Sequence, residues 1–169
     1  DEFNNLTLCF VPEFLRERCA MDDFISNHNL LAVGTHDKFV FDKIVEAHGH
    51  YPKATARLKP TEAEILKYYN NVFAAYKIIF ANIMSEVCGK LNCDYTTVKD
   101  AFVKFGRCKD TYLDVNENLK GYGGMCLPKD VKAMTRLLEK LHIDFDTFKS
   151  IDSDNAKLKT TVFNGMRKH

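Results

Sequence analysis

The chain has 169 residues, 46% apolar and 28% charged, with 24 basic and 23 acidic side chains. That is material for one ordinary domain or two small ones with a packed core. A net charge of +1 lacks the basic surplus of nucleic-acid and membrane-surface proteins, so neither partner is expected. No uninterrupted apolar run approaches the ~18 residues that span a bilayer. No secretory signal opens the chain, and a cytoplasmic location is expected. Gly is scarce, yet Gly121, Gly123 and Gly124 crowd into four positions.

In chain order, residues 6–11 form an apolar run that reads as a short strand, ended by Pro12. Residues 14–23 read as a turn or two of helix. The run from Leu30 to Gly34 suits a buried strand. Asp37 can cap a helix reaching about His48, with Phe41, Ile44 and Val45 on one face. Residues 53–58 suit another strand. Residues 1–59 therefore read as a β-α-β piece.

The character then changes. Pro60 and Thr61 open a helix, with Thr61 and Glu64 placed for a capping box. Apolar residues recur at helical spacing through Ile65, Tyr68, Val72, Tyr76, Ile79, Ile83 and Val87. Gly89 reads as the stop. The predicted helix, 61–88, is about 40 Å long at 1.5 Å per residue. Phe73, Phe80 and Met84 widen its apolar stripe, so it must be covered by its own domain or by a second copy. Asp94 caps a further helix to about Phe105. Residues 106–126 read as irregular, and helices follow over 127–141 and from 146 to about 167. Residues 60–169 are thus all-helical.

The six cysteines form no CxxC pair, and no second pair answers Cys88 and Cys93. His48 and His50 are conceivable ligands, but no metal is expected. Reduced thiols, mostly buried, are the expected state.

One segment carries chemistry. The glycines of Gly121, Tyr122, Gly123 and Gly124 let the backbone take positive φ and approach a ligand closely. Cys126 follows at the start of a helix, with Pro128 in its first turn. A helix N-terminus favours a thiolate, and Lys129 adds positive charge. Asp130, one turn on, can hold a proton or a water. The arrangement suits a cysteine nucleophile; a glycine loop with an inert thiol is the plainer alternative. Lys67 and Asn71 share a face at i and i+4 of the long helix. Alone, that pair reads first as a solvated stripe, and Asn70 and Asn82 as structural. Glu13, just after the first strand, is a carboxylate placed for a site or an ordinary surface residue.

Together these segments resemble the nucleotide-sugar dehydrogenases, the UDP-glucose and GDP-mannose dehydrogenase family. The resemblance rests on the stretch from Pro12 to Glu17, on Glu62 to Lys67 with Asn71, and on Gly121 to Gly124 leading into Cys126, Leu127, Pro128, Lys129 and Asp130. It covers nearly the whole chain. It implies a mainly α fold: a helical middle, dimerisation domain of the 6-phosphogluconate-dehydrogenase C-terminal type, over 60–169. Residues 1–59 would be the tail of a Rossmann-type NAD-binding domain.

The implied activity is NAD-dependent oxidation of the C6 alcohol of a nucleotide-linked hexose to a carboxylate, UDP-glucose first, as in polysaccharide biosynthesis. GDP-mannose and UDP-N-acetyl sugars are alternatives, as is a non-catalytic dimerisation module. Cys126 would attack the aldehyde, and a thioester would follow. Lys67 and Asn71 would stabilise the oxyanion and alkoxide. Asp130 and Glu13 would handle protons and water. The stretch of Phe14, Leu15, Arg16 and Glu17, with Tyr122, Gly123 and Gly124, would cradle the substrate. Arg107 would match an arginine lent to the partner subunit's site, and Lys129 would contact the cofactor. A homodimer through helix 61–88 is implied.

Three departures from the family pattern stand out. No GxGxxG occurs among these residues, so the 169 residues are expected to be the middle of a longer enzyme and inactive alone. Asn27, His28 and Asn29 replace an Asn-Pro turn. The stretch from Arg107 to Cys126 is longer than in many members.

Overall fold

The computed structural model describes residues 6–116 and 118–158. The chain divides into two units, Asp1–Tyr69 and Asn70–His169.

In the first unit, Arg16 leads into a 3-10 turn at Glu17–Cys19 and the short helix α1, Ala20–Ile25. Strand β1 (Leu31–Gly34), helix α2 (Lys38–His48) and strand β2 (Thr55–Leu58) form one parallel β-α-β unit. Leu31 pairs with Thr55 and Gly34 with Leu58. All four residues of β1 are buried, whereas β2 alternates. Asp37 caps α2 as its position predicts, accepting from the Phe39 N–H at 2.8 Å. The strand expected over 6–11 is reduced to a single antiparallel bridge between Phe10 and Gly34. Leu6 and Leu8 stay exposed, and Pro12 removes a donor just beyond the bridge.

Gly34 is required by close approach. A Cβ there would lie 2.8 Å from Ala63 Cβ and 2.9 Å from Pro60 Cα. The strand end thus packs directly on the start of α3, Pro60–Lys90.

The capping of α3 differs from the expected Thr61–Glu64 box. Glu62, not Glu64, reaches back to accept from the Lys59 N–H at 2.8 Å, with Pro60 at the first helical position. The helix also runs past Gly89 to Lys90. Asn92 ends it, taking φ 53 while the Cys93 N–H returns to the Cys88 carbonyl. Asn tolerates the left-handed region, so the glycine one residue inside the end was not needed as the stop.

The second unit holds the rest of α3 with α4 (Tyr95–Lys104), α5 (Leu127–Lys140) and α6 (Thr147–Lys157). The part of the last helix expected beyond residue 158 lies outside the described residues. Val72, Ala75, Ile79, Tyr122, Val131 and Ile151 form the core, flanked by Ile78, Leu127, Met134, Phe148 and Leu158. Each fully buried aliphatic side chain contributes about 1.5–3 kcal/mol. Buried alanines on α3, at 74, 75 and 81, let neighbouring elements approach its axis.

By length and composition α3 could cross a membrane. Its buried residues include the polar Asn71 and Asn82, with Lys77 half-buried, as in a core helix. A second stripe on it is exposed: Phe73, Tyr76, Phe80, Ile83 and Val87, spaced by three and four residues.

Candidate active site

Within residues 1–69, Glu13 and Lys67 meet. The Lys67 ammonium donates to the Glu13 backbone carbonyl, and Nζ lies 5.6 Å from the centre of the Phe14 ring. The Glu13 carboxylate accepts from the Leu15 N–H at 2.5 Å, which fixes the turn after Pro12. Arg16 forks onto Asp23, with Nε–Oδ2 at 2.9 Å and Nη2–Oδ1 at 2.6 Å, and its own N–H joins Oδ2 at 2.9 Å. These bonds hold the Asp23 carboxyl well below the usual carboxylate range. The Arg16 guanidinium and the Leu15 and Arg16 N–H groups are therefore engaged within the chain. Phe14 and Leu15 are half-buried. The expectation for the Glu17 side chain lies outside the described residues.

Within residues 70–169 the predicted Cys126, Asp130 and Asn71 are joined through α5. Cys126 stands at the N-cap, exposed, with Pro128 in the first turn. The Asp130 N–H closes that turn on the Cys126 carbonyl at 3.0 Å. The Asp130 carboxylate is buried, 2% exposed, and both oxygens are engaged. Asn71 Nδ2 donates to Oδ2 at 2.5 Å, and the Lys129 ammonium pairs with Oδ1. Asn70 Nδ2 donates to Asn71 Oδ1 at 3.0 Å, so the amide orientation is fixed from both ends. Asn71 retains a second N–H to offer.

Gly121 and Gly124 take φ 78 and 75, as the crowded glycines imply. Tyr122 between them is 1% exposed and belongs to the core. Gly123 is half-buried, and Gly124, Met125 and Cys126 emerge at the surface.

Arg107 stacks over Phe105, 5.2 Å from the ring centre, just beyond α4. The loop after it is held by residues the sequence reading did not single out. Lys77 donates to the Thr111 carbonyl at 2.9 Å, and the Tyr95 hydroxyl donates to that of Leu113 at 2.8 Å. Lys99, 9% exposed, pairs with Asp114 at 2.5 Å and Asp110 at 3.1 Å, and those carboxylates raise its pKa. A lysine buried on a short helix, followed by three aspartates within fifteen residues, was the available signal. Among the described residues no three His, Cys, Asp or Glu side chains converge as a metal site would require.

A parallel β-α-β unit precedes a long helix, and a cysteine at a helix N-cap position stands one turn before a buried, amide-bound aspartate. The chain belongs to the UDP-glucose/GDP-mannose dehydrogenase family, whose central-domain model matches residues 61–157. It is 30% identical over 149 residues to UDP-glucose 6-dehydrogenase of Rickettsia felis, a match covering 86% of this chain and 32% of that protein. A Bacillus subtilis UDP-glucose 6-dehydrogenase is 31% identical over 140 residues, covering 83% of this chain and 31% of that protein. Among solved structures, the UDP-glucose dehydrogenase of Pyrobaculum islandicum superposes with a TM-score of 0.81 at 30% identity, covering 89% of this chain and 34% of that one. The chain spans about a third of the length of the curated relatives it matches.

Proposed function

We propose that this chain supplies the cysteine chemistry of a nucleotide-sugar dehydrogenase, acting at the C6 aldehyde stage of UDP-glucose oxidation. The observation that carries the reading is the first turn of α5: an exposed Cys126 one turn before a buried Asp130 that Asn71 and Lys129 hold. Cys126 Sγ, its proton released to solvent, bonds to the aldehyde carbon while the carbonyl π pair moves to oxygen, giving the alkoxide of a thiohemiacetal. The free N–H of Asn71 stabilises that oxygen, and the resemblance assigns Lys67 to the same task. The resemblance assigns Glu13 and Asp130 to protons and to the water that would hydrolyse the thioester left once hydride is lost. The resemblance assigns Phe14, Leu15, Arg16, Glu17, Tyr122, Gly123 and Gly124 to the substrate, and Arg107 to the partner subunit's site.

NAD is the hydride acceptor that the family implies. The residues present do not fit its pyrophosphate: the β1–α2 turn has no glycine fingerprint, and the Asp37 carboxylate already occupies the N-terminus of α2. Lys129, assigned to the cofactor by the resemblance, has its ammonium on Asp130. The steps assigned to this chain are those its own side chains perform. Residues 1–59 correspond in this reading to the tail of an NAD-binding domain, and 60–169 to a helical domain that dimerises through α3.

The test follows NADH absorbance with NAD and UDP-glucose, then GDP-mannose and a UDP-N-acetyl sugar. The intact natural protein containing these residues should turn over UDP-glucose fastest. Cys126→Ala should lose at least about a thousandfold in kcat. The 169 residues alone should give no sustained NADH. Full activity in Cys126→Ala would falsify the reading. A dimerisation module without catalysis is the outcome if the intact protein oxidises none of the three and no substrate slows alkylation of Cys126.

A further inference from the structure

Asn155 lies near the end of α6, 8% exposed, and its side chain is spent on the backbone of one residue. Its Oδ1 accepts from the Tyr122 N–H at 2.7 Å, and its Nδ2 donates to the Tyr122 carbonyl at 3.0 Å. An amide facing both backbone groups of one residue fixes that residue in position and direction. Oδ1 also occupies the space where a Gly121 side chain would begin. Gly121 is therefore required twice, by φ 78 and by Asn155. From α3, Asn82 adds a longer contact, its Oδ1 accepting from the Gly121 N–H at 3.4 Å while its Nδ2 is anchored on the Ile78 carbonyl.

Tyr122 is the last buried residue before the loop emerges. Gly123 and Gly124 add no side chain to restrain the path, and Met125 and Cys126 are exposed. Once α5 begins, Asp130 anchors its first turn to Asn71. The thiol thus hangs between two fixed points, the Tyr122 peptide and the Asp130 carboxylate. Asp130 and Tyr122 both belong to the predicted site; Asn155, which holds the Tyr122 backbone, does not.

We infer that Asn155 is a positioning residue, which sets where Cys126 is presented by clamping the Tyr122 peptide four residues upstream. The inference rests on the cysteine reading above. A nucleophile misplaced by about 1 Å costs on the order of a hundredfold in rate, while substrate held by other groups still binds.

The experiment compares the parent with Asn155→Ala and Asn155→Asp in the intact natural protein. Aspartate keeps the acceptor for the Tyr122 N–H and loses the donor to its carbonyl. It also serves if the alanine variant fails to fold. NADH formation gives kcat and KM, and peptide mass spectrometry gives the iodoacetamide alkylation rate of Cys126 relative to exposed Cys93. The expected result is a kcat lowered tenfold or more with KM for NAD within threefold. The Cys126 rate relative to Cys93 should shift at least threefold, at a temperature where both variants keep the parent's circular dichroism. A kcat within threefold of the parent, with an unchanged alkylation ratio, overturns the inference. If the parent itself oxidises no nucleotide sugar, the cysteine reading fails instead, and the alkylation ratio alone decides the positioning role.

Discussion

Asp130 and Tyr122 illustrate opposite fates of a buried polar group. Asp130 has both oxygens satisfied, by Asn71 and Lys129. Tyr122 is equally buried, but its hydroxyl has no hydrogen-bond partner among the described residues. Burial pushes its phenol above the ordinary tyrosine range, and Asp152 adds to the effect. A buried hydroxyl without a partner carries its desolvation cost uncompensated. Tyr122→Phe should therefore raise the unfolding free energy by about 1 kcal/mol, read from the urea midpoint at constant slope. A drop of that size would show the hydroxyl bonded in solution. At this scale the helix start at Cys126 and the carboxylate of Asp130 one turn on could be read locally, whereas Asn71, which alone reads as part of a solvated stripe, was singled out through the resemblance. Asn155 was not. Its role depends on α6 returning across the loop 33 residues upstream, and no local pattern encodes that return.

Among the elements, α1 and α2 are joined by aromatic packing around Phe24. His28 and His48 lie 5.2 and 6.0 Å from its ring centre, Tyr51 lies 5.1 Å away, and the two imidazoles are 5.9 Å apart. His48 Nδ1 meets the Ile44 carbonyl at 2.8 Å, whereas His28 Nδ1 is buried without a hydrogen-bond partner among the described residues. Burial, then the nearby His48, lowers the His28 pKa from 6.5, with Glu13 opposing. A histidine held neutral in the fold binds its proton more readily when unfolded. Its contribution is therefore whole above about pH 6.5 and lost as pH falls below that value. The urea midpoint of this unit should fall between about pH 7.5 and 5.5, and His28→Phe should flatten the fall. An equal fall in that variant would place the effect elsewhere. The sequence marked His28 as a departure from an Asn-Pro turn, but not the company it keeps. Helix boundaries were legible where Asp37 and Asp94 cap. They shifted where two side chains compete, as Glu62 and Glu64 do at the start of α3.

At the level of the whole molecule, the parallel strand pair and the helices α2 to α6 follow from patterns of period two and 3.6, together with caps and glycines. The 6–11 run did not become a strand, since a pattern states what a segment favours and not whether a partner strand lies beside it. The exposed face of α3 is the other large feature. Phe73, Tyr76, Phe80, Ile83 and Val87 are each 42–51% exposed along one helix. An exposed apolar stripe of that length is the kind of surface that a partner covers. In the proposed dimer it faces its own copy. Light scattering at about 50 μM should give twice the chain mass, and Phe80→Glu with Ile83→Lys should give the single mass. A parent that stays monomeric would remove α3 from the interface.

The spacing of that stripe has a geometric consequence. Steps of three and four average 3.5 residues, while a straight α-helix turns every 3.6, so the stripe slides about 20° around the axis per heptad. From Phe73 to Val87 the slide amounts to about 40°. Two straight rods could touch only near Phe80. Contact along the full stripe requires each helix to wrap the other with a left-handed bend, at a crossing angle near 20°.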